Sequence, residues 1–117
     1  MQHEERAAKL KTSMATAQSA TEGCIHPNRV LHELQQRMNP DAVLVADGGD
    51  FLSFARVGLS SGRYLDPGSL GCIGIGTAFG IAASLVHPQR TVVVATGDGA
   101  FGFNAMEIDT AVRHRVP

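Results

Sequence analysis

One carboxylate of this chain sits in a setting suited to ligand chemistry. Asp98 lies between Gly97 and Gly99. It follows residues 91–95, Thr-Val-Val-Val-Ala, a β-branched and small apolar run that predicts a buried strand. Open α/β sheets bind ligands at the carboxyl ends of their strands, and glycine lets the backbone come close to a ligand. A hard oxygen donor there suits Mg²⁺, which takes about six oxygens, commonly one or two carboxylates plus phosphate and water. Gly99 and Ala100 would offer backbone N–H groups to a phosphate, as turns near a helix start do. Asp beside Gly is also an ordinary turn residue, so the turn alone leaves both roles open.

The elements that must position this turn can be read from patterning. His26-Pro27-Asn28 opens a helix, with Pro suited to the first turn. Its apolar face is Val30, Leu31, Leu34 and Met38, and Asn39-Pro40-Asp41 ends it. Residues 42–46 read as a strand, Asp47-Gly48-Gly49-Asp50 as the turn after it, and 51–57 as a short helix. A Gly/Ser loop at 59–63 and a turn at 66–69 follow. Residues 71–86 are apolar and rich in Gly and Ala, which predicts a tightly packed helix behind a glycine loop. Each Gly would cost an exposed helix roughly 1 kcal/mol, so close packing must compensate. After the 91–95 strand, Asn104 at N-cap and Glu107 at N3 match a capping box. The helix they open would turn Ile108, Ala111 and Val112 inward.

This order implies parallel strands joined by crossovers, an α/β fold with a parallel sheet and helices on both faces. Two or three strands make a thin sheet, and a sheet covered on both faces usually has more. The pattern therefore reads as truncated. Residues 1–24 show no convincing core face and could form a frayed helical extension.

Composition narrows the classes. The 117 residues carry 44% hydrophobic and 18% charged side chains with a net charge of −1, a globular balance. There is no basic field for nucleic acid or an anionic membrane. No apolar run reaches membrane-spanning length. Cys24 and Cys72 show no metal-type spacing and fit reduced thiols in a cytoplasmic protein, with Cys72 expected as a small buried apolar residue. His26, His32, His87 and His114 show no metal or triad spacing and read as surface or capping residues. The run from Gly74 to Gly80 invites a dinucleotide reading, but its spacing is one residue too long and no strand precedes it. No nucleophile elbow, Walker lysine or HExxH is present.

Four words in order carry a resemblance: VLVADGGDF at 43–51, YLDPGSLGCIGIG at 64–76, Gly97-Asp98-Gly99, and AFGFNAMEIDTAVRH at 100–114. Together the stretch from about His26 to Pro117 resembles the diphosphate-binding domain of thiamine-diphosphate (ThDP) enzymes. The words Asp-Gly-Gly-Asp-Phe and Leu-Asp-Pro-Gly look most like the acetolactate-synthase-like, 2-hydroxyacyl-CoA lyase branch. The resemblance implies a partial ThDP domain at 26–117 and a linker or the end of a preceding domain at 1–25. It implies ThDP and Mg²⁺ as cofactors, with Asp98 as one metal ligand and Gly97, Gly99 and Ala100 at the diphosphate. Gly49, Asp50 and Phe51 match a second loop that touches the diphosphate; a plain strand-to-helix turn would look the same. Gly71, Cys72, Ile73 and Gly74 match the loop that holds the aminopyrimidine. There the Gly71 carbonyl and the Ile73 N–H would meet the ring edge, and the Ile73 side chain would bend the cofactor into its V shape, catalysis by proximity. On burial statistics Ile73 reads equally as a core residue.

The same resemblance implies an enzyme that cleaves or forms a carbon–carbon bond beside a carbonyl, on a 2-keto acid, an aldehyde or a 2-hydroxyacyl-CoA. The complete protein would be a homodimer or homotetramer. The family's second metal ligand, an asparagine, and its catalytic glutamate match nothing here, so a fragment inactive alone is expected. Acetolactate synthase itself is the alternative. A non-catalytic α/β phosphate-binding module is the alternative of another class.

Overall fold

The computed structural model describes residues 11–12, 14–17 and 23–116. Residues 11–12 and 14–17 are helical. Most of the 1–25 segment, expected to be a linker, lies outside the described residues.

Three parallel strands form the sheet in the order β2-β1-β3, where β1 is Val43–Ala46, β2 Arg63–Leu65 and β3 Val92–Ala95. Every residue of β1 is buried, as a central strand covered on both faces requires. The side-chain period of two splits it between two layers. Leu44 and Ala46 join Leu31, Leu52, Ala55, Leu59 and Ala95 in one core. That core is closed by α1 (Pro27–Arg37) and α2 (Asp50–Gly58). Val45 and its β3 partner Val94 occupy the other face, under α3 (Ile75–Val86). Helices thus cover both faces, as expected.

Two expectations about helix packing are settled by glycine. In α3, a Cβ on Gly80 would lie 2.5 Å from the Val94 Cγ2, and one on Gly76 would lie 2.7 Å from the Asp47 carboxylate. Their absence lets α3 sit directly on the strands, and this is the close packing that offsets their helix cost. In α2, a Cβ on Gly58 would lie 3.1 Å from the Leu31 Cβ, so α1 docks along Leu31. Leu34 and Met38 pack beside it, whereas Val30, expected on the same face, is half exposed. The contact with α2 is narrower than the apolar stripe.

Three local expectations are corrected. The segment after 59–63 is not all loop: Arg63–Leu65 is a short edge strand in which only Tyr64 faces inward, too brief to show a period. The helix expected from about Asn104 begins earlier. Gly97 is its N-cap, α4 runs Asp98–Asn104, and after a turn α5 runs Glu107–Arg113. Ala105 and Met106 both keep helical dihedrals, so Asn104 never adopts the extended geometry an N-cap needs, and no capping box forms. Ile108 and Val112, expected inward, are 49% and 70% exposed. Among the described residues no helix is long and apolar enough to cross a membrane.

Candidate functional site

The strand ends converge through Asp47. Strand alternation carries the α3-facing side of β1 from Val43 and Val45 to Asp47, and that of β3 from Val94 to Thr96. Asp47 is 1% exposed, and no ion pair among the described residues includes it. Five donors surround it instead. Its Oδ1 accepts the N–H groups of Gly48 at 2.7 Å, Gly74 at 2.9 Å and Ile75 at 3.1 Å. Its Oδ2 accepts the Gly76 N–H at 2.9 Å and the Thr96 hydroxyl at 3.1 Å. A buried carboxylate is tolerated only when its oxygens are satisfied in this way. Three of these donors belong to the start of α3, whose positive dipole end adds to the stabilisation.

Asp47 was read from the sequence only as part of a turn. The signal that could have found it is its place two residues beyond Val45, on the face a covered strand must bury.

Around this carboxylate the expected site residues come together at one end of the sheet. Gly71 (φ 63°) and Gly74 (φ 90°) both take left-handed dihedrals, which non-glycine residues rarely adopt, and they bend the intervening Cys72-Ile73 outward. The Gly71 and Cys72 carbonyl oxygens lie against Gly48, at 2.5 and 2.2 Å from where a Cβ there would stand. Ile73 is 42% exposed, and its Cγ2 is 3.4 Å from the Cβ position of Gly49. It is therefore not a core residue. Cys72, expected to be buried, is an exposed free thiol: the loop packs through its carbonyl and turns its side chain out. The far end of the loop is held by Asn104, whose side-chain amide donates to the Gly74 carbonyl at 2.7 Å.

Asp50 opens α2 and is exposed, while Phe51 is partly buried against the core. A Cβ on Gly97 would lie 4.0 Å from the Phe51 Cβ, which joins this loop to the third. In that third loop Asp98 and Gly99 are exposed and Ala100 is buried. The first bond of α4 runs from the Phe101 N–H to the Gly97 carbonyl at 2.9 Å. The N–H groups of Asp98, Gly99 and Ala100 precede that bond, as at any helix start. Three glycine turns, an exposed carboxylate at a helix start and an outward aliphatic side chain thus lie at one end of the sheet.

A model of the thiamine pyrophosphate enzyme, C-terminal TPP binding domain, matches residues 47–117. The chain belongs to that family. Its cofactor is thiamine diphosphate. The acetolactate synthase large subunit IlvG of Mycobacterium tuberculosis is 50% identical over 95 residues, 79% of this chain and 17% of that protein. The 2-hydroxyacyl-CoA lyase 2 of Caenorhabditis elegans is 43% identical over 103 residues, 86% of this chain and 16% of its own length. The human 2-hydroxyacyl-CoA lyase 2 is 37% identical over 116 residues, 97% of this chain and 18% of its own. The chain thus spans between 16% and 18% of the length of these relatives.

A second polar cluster, around Asp66, lies just before the Gly71–Gly74 loop in the chain. Arg56 donates to Asp66 at 2.8 Å and to the Gly68 carbonyl at 2.8 Å, and the Gly68 N–H donates to Asp66 at 2.7 Å. The Arg56 hydrogen bond, opposed by burial and helped by the Gly68 N–H, holds the Asp66 carboxyl below the usual carboxylate range. The Tyr64 hydroxyl is shut from solvent without a hydrogen-bond partner among the described residues. Burial raises its pKa first, and the charge of Asp66 raises it further.

Proposed function

We propose that this chain supplies the diphosphate-binding half of the active site in a ThDP- and Mg²⁺-dependent carbon–carbon lyase or ligase. The domain would span residues 26–117 and act on a 2-keto acid, an aldehyde or a 2-hydroxyacyl-CoA. The observation that carries this reading is the gathering of the Asp98 turn and the Ile73 loop at one sheet end around Asp47.

Asp98 would hold Mg²⁺ through one carboxylate oxygen, with the diphosphate supplying further oxygens. Among the described residues no cluster of three acidic, His or Cys side chains could hold a metal, which suits a cation completed by the cofactor and by donors elsewhere. The N–H groups of Gly99 and Ala100 would bind phosphate oxygens, with Gly97 leaving the approach open. On the second loop, the Gly49 backbone is the better candidate, because a carboxylate at Asp50 repels a phosphate unless a cation intervenes. The Ile73 side chain would support the bent cofactor, while the Gly71 carbonyl and the Ile73 N–H orient the pyrimidine edge, with Cys72 between them. When bound, ThDP supplies the carbon nucleophile and electron sink for bond cleavage beside a carbonyl.

A 2-hydroxyacyl-CoA lyase or ligase is the reading favoured by the Asp-Gly-Gly-Asp-Phe and Leu-Asp-Pro-Gly words. The 50% identity to an acetolactate synthase favours that enzyme as the second reading. Either would work as a homodimer or homotetramer.

The test is Asp98→Ala in the intact protein, read as ThDP binding by calorimetry with and without Mg²⁺. Mg²⁺-dependent binding should be abolished. Undiminished binding would leave a backbone-only phosphate turn, the non-catalytic module, as the better description.

A further inference from the structure

We infer that Asp47 is a positioning residue that sets the spacing between the diphosphate turn and the Ile73 loop, acting through Thr96. This rests on the ThDP reading above and adds to it a residue that touches no cofactor.

Capping α3 does not by itself explain Asp47. A helix start is normally capped by Ser, Thr, Asp or Asn at its own N-cap. Here the N-cap is Gly74 at φ 90°, where a Cβ would lie 2.8 Å from the Phe103 Cβ. Local capping is sterically closed, and the role passes to a carboxylate 27 residues earlier, at the end of β1. The start of α3 is therefore fixed to the sheet. The Thr96 hydroxyl then ties the same Oδ2 to the residue next to Gly97. One buried carboxylate thus holds both loops that a single ThDP molecule would span.

The five donors also explain why a charge is used. Every group facing Asp47 is an N–H or O–H. An amide would point its own N–H toward either the Gly76 N–H or the three donors on Oδ1. Asp47→Asn keeps the shape and breaks the pattern. The Thr96 hydroxyl shares its one proton between Oδ2 at 3.1 Å and the Gly97 carbonyl at 3.2 Å, and Asp47 and Thr96 can be tested separately because Thr96→Val leaves the four backbone bonds of Asp47 in place.

The experiment compares two probes on the intact protein with Mg²⁺ present: inorganic diphosphate, which would reach the Gly97–Ala100 turn and the Gly49 backbone but not the Ile73 loop, and ThDP, which would reach the Ile73 loop as well. The readout is the ratio of their dissociation constants by calorimetry. Losing one hydrogen bond should weaken ThDP relative to diphosphate by roughly three- to tenfold in Thr96→Val. Asp47→Asn should do at least as much, and Thr96→Ser should restore the wild-type ratio. A ratio unchanged in Thr96→Val, whether both ligands weaken equally or neither does, overturns the inference. Should Asp47→Asn fail to fold, Thr96→Val decides alone. Wild-type protein that binds ThDP no more tightly than diphosphate would remove the thiamine reading itself, and this inference with it.

Discussion

Replacing Gly48 by Ala is the sharpest test of how the site is built. The added Cβ would stand 2.2 Å from the Cys72 carbonyl oxygen, 2.5 Å from that of Gly71 and 2.6 Å from the Cys72 carbonyl carbon. All three are backbone atoms, so no rotamer change relieves the contact. Ordinary contact begins at 3.4 Å, so β1 and the loop must part by roughly 1 Å. Overpacking costs about 1–3 kcal/mol. A fully buried strand end on one side and a loop pinned by Asp47 and Asn104 on the other place this case near ~3 kcal/mol. In chains of about 150–250 residues each kcal/mol moves the unfolding midpoint by about 2–4 °C, so in the intact protein a fall of no more than about 12 °C is expected.

The displacement also falls on Cys72 and Ile73, the segment proposed to orient the cofactor. A misplacement of this size can lower turnover by about a hundredfold. The assay is thermal unfolding of the intact protein together with ThDP titration and turnover. Gly99→Ala serves as the control for the unfolding measurement alone. A Cβ there meets nothing within 4 Å, and in the first turn of α4 Ala is favoured over Gly by up to about 1 kcal/mol. The midpoints should rank Gly99→Ala at or above wild type and Gly48→Ala well below. A Gly48→Ala protein that melts with wild type and turns over normally would refute the packing of this loop on Gly48.

Two further outcomes follow from individual side chains. Ile73→Ala should leave Mg²⁺ binding intact and slow turnover, with stability changed by less than about 1 kcal/mol because the residue is already 42% exposed; loss of metal binding, measured by Mg²⁺ titration, would mean the loop has been assigned the wrong role. Asp66→Asn should be less stable than wild type at neutral pH, by a margin that depends on acid. Because the folded Asp66 carboxyl lies below its ordinary value, its contribution is complete above about pH 4 and is lost as pH falls through the lowered pKa. Midpoints from pH 7 down to pH 3 should converge; a gap that stays constant would assign the Arg56–Asp66 contact no electrostatic share.

Much of this was legible in the sequence because it is written in glycine and period. Gly97-Asp98-Gly99 after the 91–95 run announced the strand end, and α3 read as a packed helix from its Gly and Ala content. His26 as a capping residue was equally plain, and its Nδ1 accepts the Asn28 N–H. What stayed hidden depends on contacts between distant segments. Asn104 satisfied a capping box on paper, but continuous helical dihedrals freed its amide for the Gly74 carbonyl, 30 residues away. Tyr64 lay in a strand of three residues, too short for alternation to register. Asp47 looked like every other Asp before Gly-Gly, and only the approach of α3 makes it the most connected side chain at the site.

That connectivity bears on substrate choice. Asp47 and Thr96 spend their side-chain polar groups on the backbone or on one another, and Asn104 gives its amide N–H to the Gly74 carbonyl. What remains directed outward includes backbone N–H, the Asp50 and Asp98 carboxylates, the Cys72 thiol and the Ile73 side chain. On the proposed reading these groups face the cofactor, so the choice between a 2-keto acid and a 2-hydroxyacyl-CoA would rest chiefly on residues elsewhere. The relatives fit this reading. Proteins named for two different reactions match the segment at 50% and 43% identity. Selection for either reaction would act here chiefly through the cofactor, so exchanging residues 47–104 for those of either relative should preserve ThDP affinity and leave substrate preference with the rest of the protein.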